Sequence, residues 1–477
     1  MNTDYEAVIG LEIHVQLNCE TKMFCQCPNR AGDDPNQNTC PICLWIPGNL
    51  PRFSREALEK AISASLALNC EIQKESAFDQ KVYYYPDLPK GYQLSQFHRP
   101  LARNGWLNIP DGEGLTRKIR IQKVHMEEDV ARLVHEQEGR TSVSLVDFNR
   151  AGAPLVEIVT QPDLRSPLQA MEFLRCLRTQ LRYSNSSDCS MEQGTMRVDA
   201  NISIRPRGTD QLNNKVEVKN MNSIRHVGDA IAYEIVRQSN SLRAGETIVT
   251  HTRLWDPDNR VTTAMRGKFE GPCVPDPSVP RIVLDDEWLD ELRRSLPEMP
   301  DRKADRFVGQ YGLSGEEAAL MSSERDLSEY FESVVEFGVS PRLAVQWLAG
   351  QFLPLLKERN VVLAESSLAP DRFANLLLML ERDEINANAA KEVLKKMQES
   401  RLSPEEIVAK FGYRQVSEAS ELEGIVDRVL KENPSAVENF LKGASKAMGF
   451  LMGQAMQASG GKANPRLLKE ILTRRLQ

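Results

Sequence analysis

The sequence changes character at two proline-rich segments, and this change sets the strongest limit on how the chain can fold. Up to about residue 290, strand-like stretches such as AVIGLEIHVQL and TMRVDANISIRP are mixed with amphipathic helical stretches. Then come GPCVPDPSVPRIV and LPEMPD, beyond which almost every periodic stretch has the apolar spacing of a helix. The pattern therefore predicts an α+β part followed by an all-α part.

Several strand-like stretches of the first part follow one another without a helix of crossover length, so we expect a largely antiparallel sheet. We predict a β-rich cradle with flanking helices over residues 1–290, a helical domain over 291–400 and a helical tail over 401–477. The last boundary rests on LSPEEIVAKFG, where Ser403 is a plausible N-cap and Pro404 takes the first helical position. A chain of 477 residues is also too long for a single hydrophobic core.

Composition indicates an ordinary cytoplasmic protein. The chain is 41% hydrophobic and 27% charged, and no apolar run approaches the length of a membrane span. Its N-terminus is acidic and has no signal-peptide core. In the cytoplasm, nine cysteines should be thiols or metal ligands rather than disulfides.

Charge is unevenly distributed along the chain. A net charge of −7 disfavours a nucleic-acid binder that works by bulk electrostatics. The segment from Asn439 to the end nevertheless has one acidic residue, Glu470, against seven basic ones: Lys442, Lys446, Lys462, Arg466, Lys469, Arg474 and Arg475. Such a tail fits a local nucleic-acid contact and fits a solvated helical surface equally well.

Four cysteines have the spacing of metal ligands. Cys25 and Cys27 form C-x-C, and twelve residues later Cys40 and Cys43 form C-x-x-C. Two close pairs separated by a loop rich in Gly, Pro and Asn suit a tetrahedral Zn²⁺ with four thiolates, which leaves no open position. We therefore predict a structural zinc site, with scattered free thiols as the alternative.

Polar residues share faces on several predicted strands. In GLEIHVQL the alternation of side chains puts Glu12, His14 and Gln16 on one face. The other polar faces are formed by Arg197, Asp199 and Asn201; by Lys123, His125 and Glu127; by Lys215, Glu217 and Lys219; and by Glu157 within an apolar strand. A solvated sheet face explains each strand alone, which is the commoner case.

Taken together, these faces suit a cation and phosphates. Carboxylates with an imidazole favour Mg²⁺ or Mn²⁺, and Arg and Lys favour a triphosphate. The sequence has no P-loop and no G-x-G-x-x-G, so bound ATP would lie on the sheet rather than at a glycine-rich helix start. In DQKVYYYPDLPKGYQLSQ, the tyrosines Tyr83, Tyr84 and Tyr85 either stack a base or pack against the edge of the core.

Eight blocks occur in the order found in one family. They are IGLEIHVQL, CPICLWIPGNLP, YYYPDLPKGYQLSQ, HMEED, DFNRAGAPLVEIVTQPD, MRVDANISIRP, VEVKNMNS and GFLMGQAMQASGGKANP. Together they resemble the B subunits of the aspartyl/glutamyl-tRNA amidotransferases over nearly the whole chain.

The resemblance implies an ATP-dependent, glutamine-hydrolysing ligase. Such a protein works with an A-type amidase subunit, which releases ammonia from glutamine, and with a small C-type subunit. It binds Glu-tRNA(Gln) or Asp-tRNA(Asn), phosphorylates the side-chain carboxylate with ATP, and ammonia then displaces phosphate. The implied fold is a β-rich cradle, a helical domain and a helical tail that holds the tRNA.

The resemblance also assigns residues to roles. It implies that Glu12, His14, Glu127 and Glu157 hold Mg²⁺, that Lys81 lies near the ammonia path, and that the four cysteines match the zinc ligands of some members. Our candidates for phosphate or acyl-group contacts come from the strand faces: Arg150, Arg197, Asp199, Asn201 and Lys219.

Four places depart from the family's pattern. Gln80 and Val82 stand where arginine and asparagine are usual, Trp45 replaces a glycine, and Val130, Ala131 and Arg132 replace a small residue and lysine. The segment 266–282 lacks an aromatic, acidic stretch. These departures leave two alternatives open: a divergent paralogue that activates a carboxylate on another carrier, and a tRNA-binding module without turnover.

Overall fold

The computed structural model describes residues 5–112, 115–138, 141–265, 271–415, 419–441, 445–460 and 463–476. The chain forms two compact units, Met1–Pro300 and Asp301–Gln477. The first unit holds the strands and the second is helical, so the predicted α+β class is confirmed. The division of the helical part at residue 401 stays a prediction.

The first unit is built on one large sheet and a separate hairpin. Its strands are β1 (Tyr5–Gln16), β2 (Glu71–Ile72), β3 (Glu75–Val82), β4 (Tyr92–Arg99), β5 (Ala102–Pro110), β6 (Thr116–Glu128), β7 (Arg132–Glu138), β8 (Thr141–Asp147), β9 (Pro154–Thr160), β10 (Met196–Pro206), β11 (Val216–Met221), β12 (His251–Asp256), β13 (Val261–Ala264), β14 (Cys273–Pro275) and β15 (Ile282–Val283). Its helices are α1 (Arg55–Ala67), α2 (Pro167–Tyr183), α3 (Ile224–Arg243) and α4 (Asp286–Ser295).

The main sheet has the order β13-β12-β11-β10-β1-β9-β6-β4-β3-β14. Strand β5 pairs with β6 and β2, β15 pairs with β3, and β7 and β8 form the hairpin. β11 and β12 pair in parallel, while the other pairings between these strands are antiparallel, as expected.

The alternation in the strands separates an apolar face from a polar one. Ile9, Leu11, Ile13 and Val15 of β1 are almost completely buried in the main hydrophobic core, which also includes residues of α1, α2 and α3. These three helices begin at serine N-caps, since Ser54, Ser166 and Ser223 each accept a backbone N–H of the first turn. The helices thus cover the apolar face, and the polar residues of β1 lie on the opposite face.

The second unit contains helices alone among its described elements. They are α5 (Pro300–Tyr311), α6 (Gly315–Met321), α7 (Arg325–Glu336), α8 (Pro341–Trp347), a π-helical turn (Leu348–Phe352), α9 (Leu353–Glu358), a 3₁₀ turn (Leu363–Glu365), α10 (Pro370–Glu381), α11 (Ala387–Glu399), α12 (Pro404–Phe411), α13 (Ala419–Glu432), α14 (Pro434–Leu441), α15 (Ser445–Ala458) and α16 (Pro465–Leu476). Within the described residues, no helix has the length and apolarity needed to span a membrane.

Two hydrophobic clusters stabilise the helical unit. One extends from Phe307 to Val408 and the other from Leu422 to Leu476. The expected cap of α12 is present: the Ser403 hydroxyl accepts the Glu406 N–H, and the Glu406 carboxylate accepts the Ser403 N–H at 2.8 Å.

Candidate active site

Four neighbouring strands bring polar side chains into one row. In the antiparallel register, His14 on β1 lies opposite Arg197 on β10 and Glu157 on β9. Glu157 in turn lies opposite His125 on β6. Paired residues share a face of the sheet, so the four side chains cross it in line, about 4.8 Å apart from strand to strand.

Three of the predicted magnesium ligands come together on this face. A possible ligand atom from each of His14, Glu127 and Glu157 lies within 4.8 Å of the other two. His14 Nε2 is 3.6 Å from Glu157 Oε2, and both carboxylates are largely buried. The sheet therefore places two carboxylates and an imidazole where one cation could contact all three.

Glu12 lies in the next row and is not part of this group. Its Oε1 accepts a hydrogen bond from Asn201 Nδ2 at 2.9 Å, and Asp199 is its partner across β1 and β10. The role of Glu12 as a metal ligand stays a prediction, and its position fits a group that orients Asn201.

His125 is a site residue that the sequence analysis placed on this face but did not include among the ligands. It is 3% exposed, and its Nε2 lies 3.0 Å from Glu157 Oε2 and 3.7 Å from Glu127 Oε2. Alternation in KVHMEED puts His125 on the face of Glu127. Its burial could not be read from that pattern, because it depends on β6 lying inside the sheet.

Burial opposes the charged forms of these groups, and their mutual contacts outweigh it. Nearby His125, Lys81 and His14 hold the pKa of Glu127 below its ordinary value. The same three residues, led by His125, lower the pKa of Glu157. Conversely, the two carboxylates raise the pKa of His125. Both glutamates are therefore carboxylates at neutral pH, which a cation site requires.

Two buried atoms in this cluster lack a hydrogen-bond partner among the described residues. They are Glu127 Oε2 and His125 Nδ1. Glu127 Oε2 lies 3.7 Å from His125 Nε2, too far for a hydrogen bond, and a buried carboxylate oxygen without one costs free energy that a bound cation would offset. Carboxylate oxygens with one imidazole nitrogen fit Mg²⁺ or Mn²⁺, so the residues present fit the predicted metal.

The candidate phosphate-binding side chains are held by ion pairs. The buried Asp129 lies 2.9 Å from an Arg197 guanidinium nitrogen and 3.4 Å from Arg150 Nε. Lys219 Nζ lies 2.7 Å from Asp199 and 3.1 Å from Glu217. Asp129, the last residue of HMEED, was not predicted, and it positions both arginines.

A cavity of about 1070 Å³ lies at the end of this face. Gln16, Asn29, Arg132, Arg150 and Thr195 are among its lining residues. Gln16 lies two residues beyond His14 on the same face of β1, so the cavity borders the end of this face. Its volume is sufficient for a nucleotide or the end of a larger substrate.

Comparisons with known proteins match the chain along its length. Residues 7–290 match the family model of the GatB/GatE catalytic domain, and residues 329–476 match that of the GatB domain. A B subunit of the aspartyl/glutamyl-tRNA(Asn/Gln) amidotransferase of Syntrophus aciditrophicus is 62% identical over 473 residues, with 99% of each chain covered. The chain belongs to the GatB family.

More distant GatB relatives are also matched end to end. The B subunit of the aspartyl/glutamyl-tRNA(Asn/Gln) amidotransferase of Moorella thermoacetica is 44% identical over 476 residues, covering 99% of this chain and 100% of its own. That of Carboxydothermus hydrogenoformans is 43% identical over 477 residues, covering 99% of each. Membership in the GatB family confirms the resemblance found in the sequence. It also confirms the predicted enzyme class, a carbon–nitrogen ligase with glutamine as amide donor.

The four cysteines of this GatB chain form the predicted cluster. Their Sγ atoms all lie within 4.8 Å of one another, so the cluster could hold zinc. The completely buried Lys22 extends its ammonium to 3.7 Å from Cys43 Sγ and donates to Asn38 O at 2.7 Å. The hydrogen bond with Cys25, aided by Lys22, lowers the pKa of Cys43 to about 5.

Two departures from the GatB pattern contact each other. Gln80 Nε2 donates to Asp276 Oδ2 at 2.7 Å, and Val82 N donates to Pro272 O at 3.2 Å. The described part of segment 266–282, here called the altered segment, is therefore attached to β3 by Gln80 and Val82, which also differ from the expected family pattern. Residues 266–270 of that segment lie outside the described residues.

Trp45 occupies a backbone position that suits glycine. Its φ is 56°, in the left-handed region that side chains disfavour, which agrees with the glycine expected there. The ring makes an edge contact with Tyr92 at 5.6 Å and lies 5.3 Å from Lys90 Nζ. These contacts offset a strain of about 1 kcal/mol.

Proposed function

We propose that this chain is the carboxylate-activating member of a tRNA-dependent amidotransferase. In this proposal it uses ATP to phosphorylate the side-chain carboxylate of Glu-tRNA(Gln), Asp-tRNA(Asn) or both, in the cytoplasm. Ammonia from an A-type amidase partner then attacks the acyl phosphate and phosphate leaves. The complex also includes a small C-type partner. Support comes from the names of the full-length relatives.

The observation that carries the proposal is the buried Glu127 carboxylate. One of its oxygens, Oε2, makes no hydrogen bond among the described residues and lies 3.7 Å from His125 Nε2, and the carboxylate lies beside Glu157 and His14. A buried carboxylate oxygen without a hydrogen bond is available to a cation, which supports a cation site here. A bound Mg²⁺ would neutralise charge on the phosphates during transfer.

The chain's own residues supply position and charge. His125 holds Glu157 at 3.0 Å, which fixes the carboxylate toward His14. Arg150, which lines the cavity, and Arg197 are both oriented by Asp129 and are our candidates for binding phosphate or acyl oxygens. Lys219, Asp199 and Asn201 extend the same face as further candidates. Phosphoryl transfer requires mainly such positioning.

Lys81 has a separate proposed role near the ammonia path. It lies on β3, and its charge favours ionisation of both Glu127 and Glu157. A cation there would favour neutral ammonia over ammonium, because like charges repel. Ammonia arriving beside it would therefore keep its lone pair for attack.

We further propose that the C-terminal helices hold the tRNA. Arg466, Lys469, Arg474 and Arg475 of α16 are exposed, but Arg466 lies 3.5 Å from Glu470 and the last two arginines lie near Glu423 and Asp427 of α13. The expected contributions of Lys442 and Lys462, and of the Lys446 side chain, lie outside the described residues. The available positive charge on α16 is thus smaller than the sequence count suggested.

Reconstitution with candidate amidase and small-subunit partners, glutamine, ATP and both misacylated tRNAs tests this function. ADP and amide product are measured separately. The intact protein should form both, and Glu127→Gln should reduce ADP formation by about 10²–10³-fold. Glu136→Gln, on the exposed part of the β7–β8 hairpin, is the matched control and should leave both rates unchanged.

The separate measurements also identify the alternatives. ADP without amide from either tRNA would favour activation of a carboxylate on another carrier. Salt-sensitive tRNA binding without ADP, unaffected by Glu127→Gln, would favour a binding module. Either result overturns the proposal.

A further inference from the structure

A second group of possible metal ligands lies at the edge of the sheet. A carboxylate oxygen of Asp79, a ring nitrogen of His98 and Cys273 Sγ all lie within 4.8 Å of one another. The group is distinct from the Glu127 cluster and from the four cysteines. It is not used by the function proposed above.

An irregularity in β4 turns His98 toward Asp79. Between the pairs Ala77–Arg99 and Asp79–Ser95, β3 has one residue and β4 has three. The extra residues break the alternation, and bulges commonly redirect a side chain in this way. His98 N donates to Asp79 Oδ2 at 2.9 Å, and its Nδ1 lies 2.9 Å from Oδ1.

The altered segment brings the thiol of Cys273 next to Asp79 and His98. On β14, Cys273 lies opposite Lys81 and Pro275 lies opposite Asp79. Cys273 is therefore diagonal to Asp79 on the same face of the sheet. The hydrogen bonds of Val82 and Gln80 to this segment fix its position on both sides of Cys273.

We propose that Asp79, His98 and Cys273 bind a borderline-soft divalent cation such as Zn²⁺. Thiolate, imidazole and carboxylate are the donors that zinc takes, whereas Mg²⁺ takes mainly oxygen. Three protein ligands leave a coordination position for water or a small ligand. Half of the His98 side chain is exposed, so the site opens to solvent.

The same residue types could form a nucleophilic cysteine with a histidine and an aspartate. Such an arrangement is sequential, with histidine between the other two. Here each of the three groups lies close to both of the others, as around a common centre. The geometry therefore favours a cation.

The position of the site connects it with the rest of the face. Asp79, Ser95 and Glu127 are in register across β3, β4 and β6. Two strand spacings put a cation bound at Asp79 about 10 Å from Glu127. It would also hold the altered segment to β3 and β4.

The zinc content of purified full-length protein tests the proposal by elemental analysis. Cys273→Ser and His98→Ala should each hold one zinc fewer per chain than the unaltered protein. Cys43→Ser, in the four-cysteine cluster, should lose its zinc independently, so the double variant Cys273→Ser/Cys43→Ser should show both losses. Cys176→Ser on α2 is the matched control for removal of a thiol and should lose none.

Cobalt substitution gives a second measurement. Co²⁺ in the Cys43→Ser protein should show a thiolate charge-transfer band that Cys273→Ser abolishes. Unchanged zinc content in both Cys273→Ser and His98→Ala would overturn the proposal. So would rapid, His98-dependent alkylation of Cys273 in protein that binds no cobalt there, which would indicate a nucleophile. Neither measurement depends on amidation.

Discussion

At the scale of residues, substitution of the buried His125 distinguishes an effect on metal binding from an effect on catalysis. It contacts Glu157 and lies close to Glu127, so it acts through the proposed ligands. We predict that His125→Gln raises the Mg²⁺ concentration needed for half-maximal ADP formation about 10–100-fold, as loss of such support commonly does. High Mg²⁺ should restore most of the maximal rate.

The control for this substitution is His135→Gln. His135 lies on the exposed β7–β8 hairpin and contacts Ser144. Its replacement should leave the Mg²⁺ dependence unchanged. A His125→Gln protein with an unchanged Mg²⁺ dependence would show that this imidazole has no part in metal binding.

Single residues also show how far the site could be predicted. Alternation in GLEIHVQL was sufficient to place Glu12 and His14 on one face. It could not show that His14 faces Glu157 while Glu12 lies in the next row, because that depends on the register between distant strands. Asp129 was missed for the same reason, since its arginine partners lie on other segments.

At the scale of elements, the contact of β5 with the end of α1 depends on a glycine. A Cβ at Gly105 would lie 2.9 Å from Leu68 O and closer still to Cys70 Sγ. We predict that Gly105→Ala destabilises the first unit by about 1–3 kcal/mol, measured by denaturant unfolding. Gly10→Ala on β1 is the control, because its nearest contacts are ordinary ones at 3.8 Å. Equal stabilities of the two variants would contradict this account.

A buried carboxylate joins α3 to β12 and β13. Glu234 on α3 is fully buried, accepts from Arg237 at 2.9 Å and lies 3.2 Å from Arg253 Nε. Burial opposes its charge, but Arg237 and Thr262 hold its pKa below the ordinary value. We predict that Glu234→Gln costs about 3–5 kcal/mol at pH 7, because it leaves the arginines without a charged partner.

The pH dependence of this cost has a definite sign. Because the pKa of Glu234 is lower in the folded state, its contribution is complete above the unfolded value of about 4.3. It is lost as the pH falls through the lower, native value. The difference in unfolding free energy between the unaltered protein and Glu234→Gln should therefore be constant from pH 6 to 8 and shrink in acid. A difference that grows in acid would contradict the assignment, and the exposed Glu246→Gln should show neither effect.

At the scale of the whole molecule, the helical unit should bind tRNA by itself. Its two hydrophobic clusters lie within residues 301–477, so we expect this fragment to fold. Its affinity for tRNA should fall steeply with salt, and Arg466→Glu or Lys469→Glu should reduce the slope of log affinity against log salt by about 1. Filter binding at several salt concentrations measures this.

Lys391→Glu on α11 is the control for charge reversal away from the tail. It should change neither affinity nor slope. Equal effects of Lys391→Glu and Lys469→Glu would show that the fragment attracts tRNA by overall charge, which contradicts a specific role for α16.

The broad architecture was predictable because it depends on local patterns. Proline-rich segments and a change of periodicity predicted an all-α part after the sheet, and helices alone follow in the described residues from Pro300, where α5 begins. The order of the sheet was not predictable. β1 pairs with β9 and β10, which lie well over a hundred residues later in the chain, and no local pattern specifies such partners.

The polar face has a consequence for how chains of this family can change in length. In β1 its side chains occupy even positions, Glu12, His14 and Gln16, and the core side chains Ile13 and Val15 occupy odd ones. Deleting one residue within β1 would exchange the two sets, whereas deleting two would keep them apart but displace the row by about 7 Å. Insertions and deletions should therefore be confined to the loops, where the parity of the numbering has no effect on which way a side chain points.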